Sequence, residues 1–180
     1  VTASRRAELA RRVIEEAGAR GLTLAVAESL TGGLLADAFV SIPGASRVLV
    51  GGIVAYDTAL KHSLLGVDDE LLRRSGPVDG DVARQMAAGV RRACAVPRRG
   101  SAEAPTAIGV ATTGVAGPDP DPQTGQPAGT VWVAVSAGAV ERQRLLDLDG
   151  DRATIRAAAV TAAIELLVEC LEPGSASSAP

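Results

Sequence analysis

Apolar residues recur at helical spacing from Ser4 to Ala19. Leu9, Val13 and Ala17, with Ala10 and Ile14 beside them, form one face, and Gly18 and Gly21 end the run. Thr23 to Ala27 is instead a short unbroken apolar stretch, the pattern of a buried strand. A helix opens at Thr31-Gly32-Gly33 and continues to about Val40, where Pro43-Gly44 breaks the chain. Arg47 to Tyr56 reads as a second strand, and Gly51-Gly52 within it signals a bulge or a close backbone approach. Short helices are expected over Thr58 to Leu65 and Asp69 to Arg74. A longer one runs from Gly80 to about Cys94, with Val82, Met86, Ala87 and Val90 on one side.

Pro97 to Pro105 is a polar linker, and Thr106 to Thr113 is apolar enough for a central strand. Gly114 to Gly129 is a Gly/Pro-rich loop with no period. Thr130 to Ser136 and Val140 to Leu148 then read as a hairpin around Ala137-Gly138-Ala139. Asp151 starts the last helix, with Ile155, Ala159, Ala162 and Leu166 at helical spacing. The order predicts an α/β fold, a mixed sheet of about five strands with helices on both faces. One domain is expected over residues 1–172, followed by a disordered Ser/Ala-rich tail over 173–180.

Composition narrows the function. The 180 residues suffice for one core, and only 2% are aromatic, which argues against base stacking and single-stranded nucleic-acid binding. A net charge of −3 argues against a nucleic-acid partner as well. Cys94 and Cys170 have no second ligand at metal spacing, so neither a structural metal nor a disulfide framework is expected. No apolar run is long enough for a membrane span, and the expected location is the cytoplasm. A homo-oligomer is compatible with the chain, which carries no signal for or against one.

Two places carry candidate chemistry. In Glu28-Ser29-Leu30-Thr31-Gly32-Gly33 a strand ends in a carboxylate and a hydroxyl, and two glycines turn the backbone into a helix. Ligands of open α/β sheets bind at such strand ends, and free N–H groups of the turn would hold an anion or oxyanion. The alternative is that Thr31 is simply an N-cap in a tight turn. The second place holds the one lysine among 18 Lys+Arg, Lys61, close to the one tyrosine, Tyr56, and the one histidine, His62. A lysine, unlike arginine, can be driven neutral by burial and act as a base, here beside Val54, Ile53 and Leu64. A leftover surface charge is the competing reading. Tyr56 would relay a proton or fix the lysine, or else pack with its hydroxyl in water. Arg152, in the first turn of a helix, would join free N–H groups in binding a phosphate, or else reach into solvent. Asp119 and Asp121, flanked by prolines, read as turn carboxylates rather than a metal pair.

Six blocks then occur in one order. They are Glu28-Ser29-x-Thr31-Gly32-Gly33, Gly51-Gly52-Ile53-Val54-Ala55-Tyr56 with Lys61 five positions on, Leu65-Gly66-Val67, Thr113-Gly114-Val115-Ala116-Gly117-Pro118, Gly129-Thr130-Val131 and Gly150-Asp151-Arg152. From about Arg6 to Leu171 the chain resembles the carboxy-terminal domain of competence/damage-inducible proteins, which also occurs alone as nicotinamide-nucleotide amidase. The resemblance implies a three-layer α/β/α sandwich and a role in pyridine-nucleotide salvage within NAD metabolism. The implied reaction is hydrolysis of the carboxamide of nicotinamide mononucleotide to nicotinic acid mononucleotide and ammonia, with no cofactor or metal.

By the same resemblance Ser29 matches the nucleophile, Lys61 the base and Tyr56 an assisting hydroxyl. Thr31, Gly32, Gly33, Thr113, Gly114 and Arg152 match positions lining the site, and Glu28 is counted with them as substrate-binding. Two departures stand out: Leu30 replaces the family's common cysteine, and Asp57-Thr58-Ala59-Leu60 replaces the usual Ser-Asn-Glu-Ala. The second motivates a rival expectation, a catalytically silent nucleotide-binding or regulatory module. A third, a Ser–His hydrolase using His62, would need that ring beside Ser29.

Overall fold

The structure is a computed structural model that describes residues 3–97 and 104–172. Most of the linker expectation and the whole tail expectation fall outside these residues. In chain order the elements are α1 (Ala3–Ala19), β1 (Leu24–Glu28), α2 (Leu34–Val40), a 3-10 turn (Ala45–Arg47), β2 (Leu49–Val54), α3 (Thr58–Leu65), α4 (Asp69–Ser75) and α5 (Gly80–Ala93). The remainder is β3 (Ile108–Gly114), β4 (Thr130–Ala137), β5 (Val140–Asp147) and α6 (Arg152–Leu171).

The five strands form one mixed sheet in the order β2-β1-β3-β4-β5. β1 runs parallel to β2 and β3, and the β4–β5 hairpin is antiparallel, as a hairpin must be. Helices cover both faces, which makes the fold a three-layer α/β/α sandwich. α2 begins at Leu34 rather than at Thr31, because Gly32 and Gly33 (φ 57 and 98) form a left-handed turn before it. β2 does carry the irregularity expected near its glycine pair. Leu24 pairs with Leu49, but Ala25 pairs with Gly51, so Val50 is the extra residue.

Strand alternation gives the two faces different textures. Leu24, Val26, Ile108, Val110, Val131, Val133 and Val135 pack with α1, α2 and α6. Ala25, Ala27, Ala111 and Ala134 pack instead with α3, α4 and α5. Small residues let α5 approach closely. A Cβ added at Gly109 would fall 2.0 Å from Ala87 O, and one at Gly89 would fall 1.9 Å from Leu65 O. Gly89→Ala should therefore force α5 off α3 and cost about 1–3 kcal/mol of stability. Chemical denaturation compares the variant with wild type, and an unchanged midpoint would refute the close contact.

Aspartates set four of the helix starts. Asp57, Asp68, Asp79 and Asp151 cap α3, α4, α5 and α6, each accepting at least one hydrogen bond from a first-turn amide. Among the described residues no helix is long and apolar enough to cross a membrane.

Candidate active site

The parallel strands end together, and their carboxyl ends bring three segments to one rim. Ser29 follows β1, Ala55 and Tyr56 follow β2, and Thr113-Gly114 closes β3. A cavity of about 330 Å³ lies there, lined among others by Ser29, Tyr56, Lys61, Thr113, Gly114 and Arg152. Ligand pockets run from roughly 300 to 1,000 Å³, so a mononucleotide-sized molecule is in range. A larger hollow of about 490 Å³ follows the charged face of α1 between Arg5 and Glu15, but it contains no nucleophile.

Lys61 is buried, 1% exposed, on the same face of α3 as Leu65. Its Nζ donates to Ala55 O at 3.1 Å. Burial is the main reason its pKa falls from 10.5 to about 8, opposed by the nearby Asp57 carboxylate. The surface-charge reading of Lys61 is thereby excluded. The expected apolar neighbours are a different matter, since Val54 and Leu64 are themselves largely exposed. Ser29 is nearly buried, and among the described residues its hydroxyl has no hydrogen-bond partner. Ser29 and Lys61 share the cavity without a direct hydrogen bond. Such contacts commonly tighten only when substrate fills the site.

Tyr56 does not fix the lysine. It is 60% exposed, and its hydroxyl accepts from Arg152 Nη2 at 2.8 Å while Arg152 Nη1 donates to Gly117 O at 2.7 Å. The start of α6 is likewise not an open anion site, because Asp151 accepts from Thr154 N at 2.8 Å. That amide is the largest cause holding the Asp151 carboxyl below its usual range, with the Thr154 hydroxyl next. Any anion here meets the Arg152 guanidinium rather than bare helix amides.

Four expected substrate-binding residues do not line the cavity: Glu28, Thr31, Gly32 and Gly33. Glu28 is 1% exposed, and its carboxylate accepts from Gly33 N, Leu35 N and Ala36 N at 2.9–3.0 Å. It closes the start of α2 from inside the fold, and a charged acceptor there is favoured by the helix dipole. The Gly33 amide is thus consumed, and the Gly32 amide donates to Ser29 O at 3.1 Å. Neither can serve as the oxyanion donor expected of them. Thr31 is wholly buried, with its hydroxyl 2.7 Å from that of Thr112. Thr113 does reach the rim, although its hydroxyl donates to Pro77 O at 2.6 Å.

With this geometry, residues 6–171 match the family described as the CinA C-terminal domain. The chain belongs to that family. A CinA-like protein of Frankia casuarinae is 46% identical over 148 residues, 82% of this chain and 31% of that protein. A CinA-like protein of Gemmatimonas aurantiaca is 44% identical over 161 residues, 89% of this chain and 35% of that protein. The chain therefore spans about a third of the length of the curated relatives it matches. Among solved structures it superposes on competence/damage inducible protein CihA from Agrobacterium tumefaciens with TM-score 0.83 and 34% identity, covering 95% and 98% of the two chains. A CinA superfamily protein from Enterobacter cloacae gives TM-score 0.84 and 28% identity, covering 93% and 92%.

Within this CinA domain the histidine stands apart. His62 Nδ1 is 2.8 Å from Val67 O, and the ring does not line the cavity with Ser29. Asp121 does line it, and its Oδ2 accepts from both the amide and hydroxyl of Thr124 at 2.8 and 2.7 Å, the bonding of a turn carboxylate. The surrounding loop is tied down by Gln123 to Leu72 O and by Gln126 to Val78 O. Sequence reasoning missed Arg156, which reaches from α6 to the backbone just after Ser29.

Proposed function

We propose that this domain is an amidohydrolase that converts nicotinamide mononucleotide to nicotinic acid mononucleotide and ammonia. The observation that carries the reading is a buried lysine of lowered pKa sharing one cavity with an unpartnered serine hydroxyl. In the first step Ser29 Oγ attacks the carboxamide carbon and its proton passes to the Lys61 amine. The C–N bond then breaks, and the leaving nitrogen takes that proton to depart as ammonia. In the second step a water gives its proton to Lys61 as its oxygen attacks the ester; the acyl C–O bond then breaks, Lys61 returns the proton to Ser29 Oγ, and the carboxylic acid is released. Arg152 faces the nucleotide's phosphate, and Tyr56 holds the guanidinium at the rim. The partner is a small nucleotide, with no protein or nucleic acid required.

Of the altered Asp57-to-Leu60 segment Thr58 alone lines the cavity, and Asp57 acts on Lys61 only by partly opposing the fall in its pKa. Asp57 keeps a structural task as the cap of α3, accepting from Ala59 N at 2.8 Å. Ammonia release from nicotinamide mononucleotide is the direct test. Wild type should turn over, and Ser29→Ala should retain binding while losing at least about a thousandfold in rate. Binding without ammonia from wild type would replace this reading with the silent module.

A further inference from the structure

The peptide groups that follow Ser29 are gripped from behind by a residue outside the cavity lining. Arg156 lies one turn after Arg152 on α6. Its Nε donates to Leu30 O at 2.8 Å and its Nη2 to Thr31 O at 2.9 Å, so one planar fork holds two successive carbonyls. In a trans peptide the C=O and N–H point in opposite directions. Turning the Leu30 carbonyl towards Arg156 therefore turns the Thr31 N–H away from it. Gly32, at φ 57, leaves space for the guanidinium, since an added Cβ would sit 3.3 Å from Nη2.

Among the described residues neither the Leu30 N–H nor the Thr31 N–H has a hydrogen-bond partner. Both residues are nevertheless buried, 3% and 0% exposed. Unpaired buried amides are rare, and of the two residues only Leu30 lines the cavity, so its N–H points to a ligand atom. The neighbouring amides are already engaged: Ser29 N donates to Thr112 O, Gly32 N to Ser29 O and Gly33 N to Glu28.

Resting on the reading of Ser29 as nucleophile, we infer that the Leu30 N–H, on the cavity lining, binds the oxyanion and that Arg156 is the positioning residue that holds the Leu30–Thr31 turn carrying it. As the Oγ–C bond forms, the carbonyl electron pair moves onto oxygen, where the Leu30 N–H receives it. The pair returns when the C–N bond breaks. Because the dipole is held in advance, no reorganisation is needed during the reaction. Lysine at this position would keep the charge but could not span two carbonyls.

The test compares wild type with Arg156→Lys and Arg156→Met in two assays. The first is ammonia release from nicotinamide mononucleotide. The second is labelling of Ser29 by an alkyl fluorophosphonate, followed by intact-protein mass. In that labelling the Oγ–P bond forms, the P–F bond breaks, fluoride leaves and the serine proton passes to Lys61. Both variants should lower kcat roughly 10²–10³-fold with KM within about threefold, and slow labelling by a similar factor. A purely structural arginine would shift thermal midpoints without that split, and the lysine variant decides should the methionine variant not fold. If wild-type Ser29 is labelled but no ammonia appears, the substrate reading fails and the labelling rates alone decide the role of Arg156. Labelling of both variants at the wild-type rate, or no labelling of wild-type Ser29, would overturn the inference.

Discussion

Lys61→Arg should abolish ammonia release while keeping a positive charge on α3, because a guanidinium does not release its proton in a protein. With a pKa of about 8, roughly a tenth of the lysine is neutral at pH 7. The wild-type rate should therefore climb as pH rises towards 8 and level off above it. A flat profile between pH 6 and 9 would remove Lys61 as the base. Lys61→Met should be inactive too, yet more stable.

The same buried amine ties activity to stability. Its folded pKa lies below the unfolded 10.5, so the folded state is penalised whenever the amine is charged. The penalty is complete below about pH 8, shrinks between 8 and 10.5, and is gone above. Its size is about 3 kcal/mol for a shift of this extent. Relative to Lys61→Met, wild type should gain stability on raising the pH from 7 to 10. Urea denaturation of both proteins at the two pH values checks the sign, and a constant difference would contradict it.

Glu28→Ala is expected to cost about 3–5 kcal/mol, because it orphans three amides at the start of α2 and removes a buried side chain. For a domain of this size the thermal midpoint should fall on the order of 10 °C. Glu28→Gln keeps the shape but turns an NH₂ group towards N–H donors, so it too should lose stability. Were Glu28 a substrate contact instead, the glutamine variant would raise KM and leave the midpoint unmoved. Thermal melting beside steady-state kinetics separates the two outcomes.

What the sequence disclosed follows from what periodicity can carry. The α3 helix over Thr58–Leu65 was legible because Gly66 ends it after two turns. The last helix was legible because Asp151 caps it and its apolar stripe holds its period. The hairpin followed from alternation around Gly138. Ser29, Lys61, Tyr56 and Arg152, singled out separately in the sequence, share one cavity.

Direction was not legible. A carboxylate at a strand end looks the same in sequence whether it faces a ligand or, like Glu28, turns back onto its own helix. The Thr-Gly-Gly run signalled a tight turn, but which amides that turn leaves open depends on a cap formed seven and eight residues further on. Arg156 is readable only once α6 is known to cross behind the nucleophile.

The unequal faces of the sheet leave the lysine little slack. With alanine and glycine lining its side, the layer bearing Lys61 rests almost directly on the strand backbones. An added methyl there is transmitted as a shift of the Lys61 amine, so on the proposed reading damaged variants would surface as slow turnover with an intact fold. On the valine-rich side the same change would be absorbed by helices that carry no proton chemistry.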